Sequence, residues 1–163
     1  MRTILLLATL TVPFGLADDD DDEHDDRPRP ARPAVPPDPS YAKECGSCHL
    51  AFPPPLLPAR TWVTILGNLG DHFGDDASLP DEKRAALTAW LVASAGRDRG
   101  DDTLRVTGTR WFRSEHDELP GRLVGPAAEV KSWAACASCH PGAARGSFDE
   151  EAIRVPGLGR WED

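Results

Sequence analysis

Two copies of one short motif contain every cysteine of the chain. Residues Cys45–His49 and Cys136–His140 both read Cys-x-x-Cys-His. Thiols three positions apart, here Cys45 with Cys48 and Cys136 with Cys139, can each form a thioether with one of the two vinyl groups of a porphyrin. The adjacent imidazole of His49 or His140 then reaches the iron as an axial ligand. The pattern therefore predicts two covalently attached haems c.

Other chemistry for paired cysteines explains fewer of these residues. A thioredoxin-like pair needs a βαβ context, and no strand-like segment precedes either motif. A zinc site made of four cysteines would join pairs separated by 87 residues and leave both motif histidines without a role. A disulfide inside a Cys-x-x-Cys loop would constrain almost nothing.

The second axial ligand of each iron decides between electron transfer and ligand-binding chemistry. The single methionine is Met1, which lies in a segment that we expect to be removed. Of the three histidines outside the motifs, His24 lies in an acidic tail, which leaves His72 and His116. Two haems and two spare histidines predict bis-histidine ligation at both irons.

Chain spacing favours a local pairing of these ligands. His72 follows His49 by 23 residues, and His116 precedes His140 by 24 residues. The simplest pairs are therefore His49 with His72 and His140 with His116. Spacing alone leaves an exchange of partners between the two haems open.

Short helices are expected to position these groups. The apolar periodicity predicts four helical segments: Ala59–Gly70, Ser78–Gly96 with a capping-box-like start, Arg110–Leu119 and Ala127–Ala135. In the second segment Leu87, Trp90, Leu91 and Ser94 share one face. His72 continues the apolar stripe of the first segment if that helix reaches it, and His116 lies inside the third. Four tryptophans are expected to pack against the macrocycles: Trp62, Trp90, Trp111 and Trp133. We predict a small all-α fold, with short helices and long loops around two covalently attached haems.

The first forty residues differ from the rest. Residues 1–17 resemble a signal peptide cleaved after Ala17, so we expect export to the periplasm. Residues 18–26 contain eight carboxylates, and residues 27–40 contain six prolines, which predicts a disordered tail and linker over 18–40. The folded domain is then 41–163, with one haem lobe at about 41–102 and the other at about 103–163.

Charge and hydropathy exclude several classes of function. The chain of 163 residues has 18 Lys and Arg against 27 Asp and Glu, a net charge of −9. It has no basic block, which argues against a nucleic-acid binder. It has no stretch of 18 or more apolar residues, so we do not expect it to span a membrane once processed. Loss of residues 1–17 changes the net charge to −10.

Several segments together are similar to the dihaem cytochrome c (DHC) family of bacterial periplasmic electron carriers. They are Tyr41–His49, Phe52–Pro54, Leu56–Pro58, Trp62, Leu69–Leu79, Trp111, His116 and Cys136–His140, so that the resemblance covers roughly Tyr41 to Pro156. It implies two bis-histidine haems, with His72 in the family's His-Phe-Gly segment and His116 as the ligand that precedes the second motif. It also implies redox partners such as a soluble haem protein or a membrane cytochrome b. The acidic run Asp18–Asp26 is not part of the family pattern.

The function expected from these residues is electron transfer without a bound substrate. Filled axial positions leave the iron no site for a substrate, and two imidazoles favour a lower potential than a histidine and methionine pair. The alternative is a dihaem peroxidase or small-molecule reductase, in which one histidine leaves its iron. No distal arginine and histidine constellation can be identified to support that alternative.

Overall fold

Four short α-helices and a two-stranded hairpin make up the regular structure of residues 38–161, the part of the chain that this computed structural model describes. They are α1 Pro39–Cys45, α2 Ala59–Gly67, α3 Asp81–Ser94, α4 Arg110–Ser114, β1 Arg154–Val155 and β2 Gly159–Arg160. Single 3₁₀ turns, among them Pro54–Leu56, Leu69–Asp71, Val106–Gly108 and Cys136–Ser138, connect them. The expected all-α class with long loops is confirmed. The signal peptide and most of the tail expected at 1–37 lie outside the described residues.

Helix α1 begins earlier than the linker prediction implies. Asp38 caps it, since one of its carboxylate oxygens accepts hydrogen bonds from the backbone N–H groups of Ser40 and Tyr41, at 2.9 and 3.0 Å. Pro39 occupies the first turn, where its missing N–H costs nothing. The last linker residues therefore form the start of the helix that leads into the first motif.

The hydrophobic core lies between α2 and α3 and continues into the 3₁₀ turn Val106–Gly108 and into α4. Its buried members include Trp62, Leu66, Leu87, Leu91, Val106 and Phe112. Leu87 and Leu91 lie on the apolar face predicted for α3, and Leu91 is completely buried. Because Val106 and Phe112 share one core with Trp62, packing is continuous across the expected lobe boundary near residue 102.

The boundaries of α3 differ from the sequence prediction at both ends. The helix begins at Asp81 behind Pro80, with no side-chain cap, so the capping box expected at Ser78 does not form. It ends at Ser94, two residues before Gly96. Gly96 instead packs against the chain at Pro55, where an added Cβ would lie 2.0 Å from a carbonyl oxygen. Its N–H donates to the Leu57 carbonyl at 2.9 Å, which holds the end of α3 to the loop after the first motif.

Three other predicted helices are shorter than expected or absent. Helix α2 ends at Gly67, and a separate 3₁₀ turn carries the chain to His72. Helix α4 ends at Ser114, two residues before His116. No helix forms at Ala127–Ala135, because the chain folds back at Gly125, whose φ of 157° few other residues tolerate, and its N–H donates to the Val130 carbonyl at 2.9 Å.

Within residues 38–161, we find no helix long and apolar enough to cross a lipid bilayer.

Candidate haem sites

Site 1 is defined as Cys45, Cys48, His49 and His72. It lies between the end of α1 and the turn that follows α2. The imidazole rings of His49 and His72 have centroids 6.1 Å apart and planes inclined by only 18°. Nδ1 of His49 lies 2.7 Å from the carbonyl oxygen of Leu50. Because Nδ1 carries the donated proton in that contact, Nε2 is left as the nitrogen available to a metal.

A tight turn holds His72. The His72 N–H donates to the Asp75 carbonyl at 2.7 Å, and the Asp75 N–H donates back to the His72 carbonyl at 3.3 Å. Between them Phe73 and Gly74 have φ angles of 59° and 106°. Two positive φ values in succession are typical of the I′ turn that joins adjacent strands. The backbone therefore fixes the position of His72 although no helix reaches it.

Site 2, defined as His116, Cys136, Cys139 and His140, brings together the turn after α4 and the second motif. The His116 and His140 rings have centroids 6.2 Å apart, and their planes are inclined by 71°. Nδ1 of His116 lies 2.8 Å from the Phe112 carbonyl oxygen, which again leaves Nε2 for a metal. The Phe112 ring lies over the His116 ring at 4.1 Å and 18°. Thr109 caps α4 by accepting from the Phe112 N–H at 3.1 Å, so the cap also fixes the carbonyl that orients His116.

A cavity of about 440 Å³ occupies the space of site 2. Its wall contains all four site residues and a largely apolar lining that includes Leu56, Phe112, Val130, Trp133, Phe148 and Val155. Cofactor sites are mostly apolar clefts of about 300–1,000 Å³ with a few polar groups, so volume and lining fit a porphyrin. Nδ1 of His140 is buried, and none of the described residues pairs with it.

The separation of the two imidazoles in each pair suits a shared metal ion. An imidazole nitrogen binds a metal at about 2 Å, so two imidazoles on opposite faces of one ion have ring centroids about 6 Å apart. The observed 6.1 and 6.2 Å agree with that value. The structure thus brings together the two pairs expected from chain spacing, His49 with His72 and His140 with His116.

Burial lowers the pKa of two of these histidines. The pKa of His72 is lowered mainly by desolvation, and further by the nearby His49 and Arg105. The pKa of His140 is lowered by desolvation and by His116. A lowered pKa keeps the imidazole neutral, which is the form that binds a metal.

Cys45, Cys136 and Cys139 do not have the properties of redox-active thiols. Burial, with a smaller effect of Glu44, raises the pKa of Cys45 to about 11. Burial also raises the pKa of Cys136 and Cys139. Thioredoxin-like motifs need a lowered thiol pKa, so these environments disfavour that alternative.

Among the residues that the structure describes, no group of three or more His, Cys, Asp or Glu side chains is placed to hold a metal ion.

Several residues of the cavity wall lie outside the attachment motifs and were not among the predicted site residues. They are Leu56, Phe148, Val155 and Trp161; Leu56 belongs to a segment of the family resemblance, and the other three follow the second motif along the chain. Among the tryptophans expected at the haems, Trp133 meets the His116 ring edge to face at 5.9 Å. Trp62 lies in the polypeptide core, where its Nε1–H donates to the Pro54 carbonyl at 2.8 Å.

Comparisons with known proteins agree with this geometry. The sequence profile of the family described as dihaem cytochrome c matches residues 41–148. The structure of a diheme cytochrome c from Shewanella baltica OS155 is 41% identical, with a TM-score of 0.69, over 78% of this chain and 100% of that one. A crystal structure of DHC from Rhodobacter sphaeroides is 41% identical, with a TM-score of 0.62, over 70% of this chain and 99% of that one. No functionally curated protein sequence matches the chain. By profile, identity and fold the chain belongs to the dihaem cytochrome c family, and it is a haem electron carrier with two c-type haems.

Proposed function

We propose that this chain is a periplasmic cytochrome whose two irons each have two imidazole ligands. At site 1, Cys45 and Cys48 bind the porphyrin and His49 and His72 bind the iron. At site 2, Cys136 and Cys139 bind the porphyrin and His140 and His116 bind the iron. The observation that carries this proposal is the separation of 6.1 and 6.2 Å between the paired rings.

The residues around each site hold the imidazoles in place rather than open a path for substrate. The haem supplies one-electron chemistry, with iron alternating between the ferric and ferrous states. Backbone carbonyls of Leu50 and Phe112 orient His49 and His116, and the I′-like turn fixes His72. With two imidazoles to hold each iron, the protein would transfer electrons and would leave no open site for a substrate at iron. This arrangement favours a carrier over the peroxidase or reductase alternative.

One short segment connects the two sites. The Phe52 ring lies 5.2 Å from the His49 ring in site 1, and Leu56 lines the cavity of site 2. Four residues of extended chain span at most about 14 Å, so these two side chains start from backbone positions within that distance. Residues 52–56 therefore link the surroundings of the two sites through four residues of chain.

Replacement of single histidines tests the ligation. Low-temperature electron paramagnetic resonance of the oxidised protein is expected to show two low-spin ferric signals and no high-spin signal. His72→Ala and His116→Ala should each convert one of the two signals to high spin, and each should create one carbon monoxide site in the ferrous protein. His24→Ala is the matched control and should change neither. A high-spin signal or ready carbon monoxide binding in the unaltered protein would contradict the proposal.

Turnover of hydrogen peroxide separates the carrier from the enzyme alternative. We expect the unaltered protein to oxidise reduced dyes with hydrogen peroxide no faster than free haem does. His72→Ala or His116→Ala should gain this activity, because an iron then becomes open. Substantial turnover by the unaltered protein would favour the dihaem peroxidase instead.

Export and partner choice are proposed from charge. Residues 1–17 direct export, and the processed chain has a net charge of −10, of which −4 belongs to residues 41–163. This charge suits a partner with a basic docking surface, whether a soluble haem protein or a membrane cytochrome b. Cell fractionation tests the periplasmic location. Association that does not weaken as salt rises would count against a basic partner surface.

A further inference from the structure

The His72 imidazole contacts the Phe73 ring, and the Phe73 ring in turn contacts the guanidinium of Arg105. The Phe73 ring meets the His72 ring at 4.9 Å and 64°. The guanidinium carbon of Arg105 lies 4.1 Å from the centre of the Phe73 ring. This distance is well inside the range of about 6 Å for a cation–π contact. Phe73 is thus held between His72 and a positive charge.

The backbone of Phe73 is unusual for a bulky residue. Its φ of 59° lies in the left-handed region, which glycine, asparagine and aspartate occupy far more readily. The side chain is also 43% exposed, so burial in the core does not explain a phenylalanine here. Strained residues of this kind cluster at functional sites, where the surroundings hold them in place.

Arg105 reaches site 1 from the part of the chain that builds site 2. It directly precedes the 3₁₀ turn Val106–Gly108, whose buried Val106 belongs to the core and which leads into α4. Its N–H donates to the Thr103 hydroxyl at 3.1 Å, which fixes the backbone there. Among residues 38–161, no carboxylate lies within salt-bridge distance of Arg105. Its charge is therefore not neutralised by an ion pair in the described part of the chain.

We propose that Arg105, acting through Phe73, is a positioning and potential-setting residue for His72. The contacts from Arg105 to Phe73 and from Phe73 to His72 hold the plane of the His72 ring nearly parallel to that of His49. The positive charge of Arg105 raises the reduction potential at site 1 relative to site 2. This inference rests on the proposed ligation of one iron by His49 and His72.

A positive charge stabilises the reduced centre because reduction removes one positive charge from the iron. The two distances of 4.1 and 4.9 Å place the guanidinium within about 9 Å of the His72 ring and within about 12 Å of a metal beyond it. At an effective dielectric constant of about 20–40, a unit charge at that distance changes the reduced-to-oxidised ratio about threefold to tenfold. A tenfold change corresponds to 59 mV for a one-electron couple.

A potentiometric titration followed by electron paramagnetic resonance tests this role. Site 1 is identified as the low-spin signal that His72→Ala removes. In Arg105→Gln, the reduced-to-oxidised ratio at site 1 should fall threefold to tenfold at fixed potential, while site 2 stays unchanged. Arg105→Lys should restore most of the ratio, because the charge remains. Arg84→Gln is the control, since it removes one positive charge on α3, where Arg84 pairs with Asp81 at 2.9 Å, and it should shift neither site by as much.

The geometric part of the proposal has its own readout. Phe73→Leu keeps an apolar side chain but removes the ring between Arg105 and His72, so the shape of the site 1 signal should change while the site 2 signal does not. Equal shifts at both sites in Arg105→Gln, no shift at all, or an unaltered signal in Phe73→Leu would overturn the proposal. A high-spin signal in the unaltered protein would instead refute the ligation, so the two failures are distinguishable.

Discussion

The angle between the two imidazole planes predicts that the two haems differ in their magnetic spectra. Each imidazole interacts through its π system with one of two iron d orbitals. Two imidazoles with parallel planes act on the same d orbital and separate the energies of the two orbitals. Two imidazoles with perpendicular planes act on one orbital each and leave the two energies nearly equal. The combined effect of two identical ligands follows the cosine of the angle between their planes.

The observed angles give a large contrast. With planes inclined by 18° at site 1 and 71° at site 2, the splitting reaches about 0.95 of its maximum at the first and about 0.33 at the second, a difference of about threefold. Site 1 should therefore give a rhombic signal with three resolved features. Site 2 should give a strongly anisotropic signal dominated by a single low-field feature.

Removal of one ligand at a time assigns the signals. His116→Ala should abolish the anisotropic signal and leave the rhombic one. The rhombic signal then accounts for all of the low-spin intensity and for one of the two irons in each molecule. His72→Ala should do the reverse. The assay is the integrated low-temperature spectrum of the fully oxidised protein. Two superimposable signals in the unaltered protein, or loss of the rhombic signal in His116→Ala, would refute the reasoning from plane angles.

Three further predictions concern stability and pH, each measured by urea denaturation of the haem-loaded protein. Leu91→Ala should lower the free energy of unfolding by about 2–5 kcal/mol, since Leu91 is fully buried at the α2–α3 contact. A loss below about 1 kcal/mol would show that this contact contributes little. Trp62→Phe should cost about 0.5–1.5 kcal/mol, because the Pro54 carbonyl loses the indole donor at 2.8 Å and keeps only the Leu57 N–H at 3.3 Å; a neutral effect would mean that water replaces the indole. The pKa of Glu44 lies below its ordinary 4.5 mainly because Lys83 donates to its carboxylate at 2.7 Å. The stability from this pair should be fully present above about pH 4.5 and be lost as the pH falls through the lower folded pKa. Glu44→Gln should remove that part of the pH dependence, and an identical profile would contradict the assignment.

The haem chemistry of this chain could be predicted because it depends on short-range spacing. Two thiols and an imidazole within five residues are sufficient to propose haem attachment, whatever the rest of the chain does. Spacing also favoured the pairing of His72 and His116 with their nearest motifs, although it left an exchange of partners open. The apolar face of α3 was predicted because Leu87 and Leu91 repeat at helical intervals.

Helix ends and the segment before the second motif were predicted less well, because turns with hydrogen bonds of their own replace the helical pattern there. The turn at Gly125 replaces the helix expected at Ala127–Ala135 through hydrogen bonds that local periodicity does not reveal. Likewise His72 is positioned by a reciprocal pair of backbone hydrogen bonds with Asp75 rather than by an extension of α2. Local propensity is weak in short helices, so tertiary packing overrides it.

By itself, the sequence determined what is covalent and local: the two attachment motifs, the supply of ligands and the concentration of acidic charge near the start of the chain. Only the tertiary structure decided the relative orientation of the imidazoles, the apolar wall of site 2 and the approach of Arg105 to Phe73. The physical reason is that thioether chemistry needs only neighbouring residues. A plane angle or an electric field at a metal depends on side chains that folding brings together from distant parts of the chain.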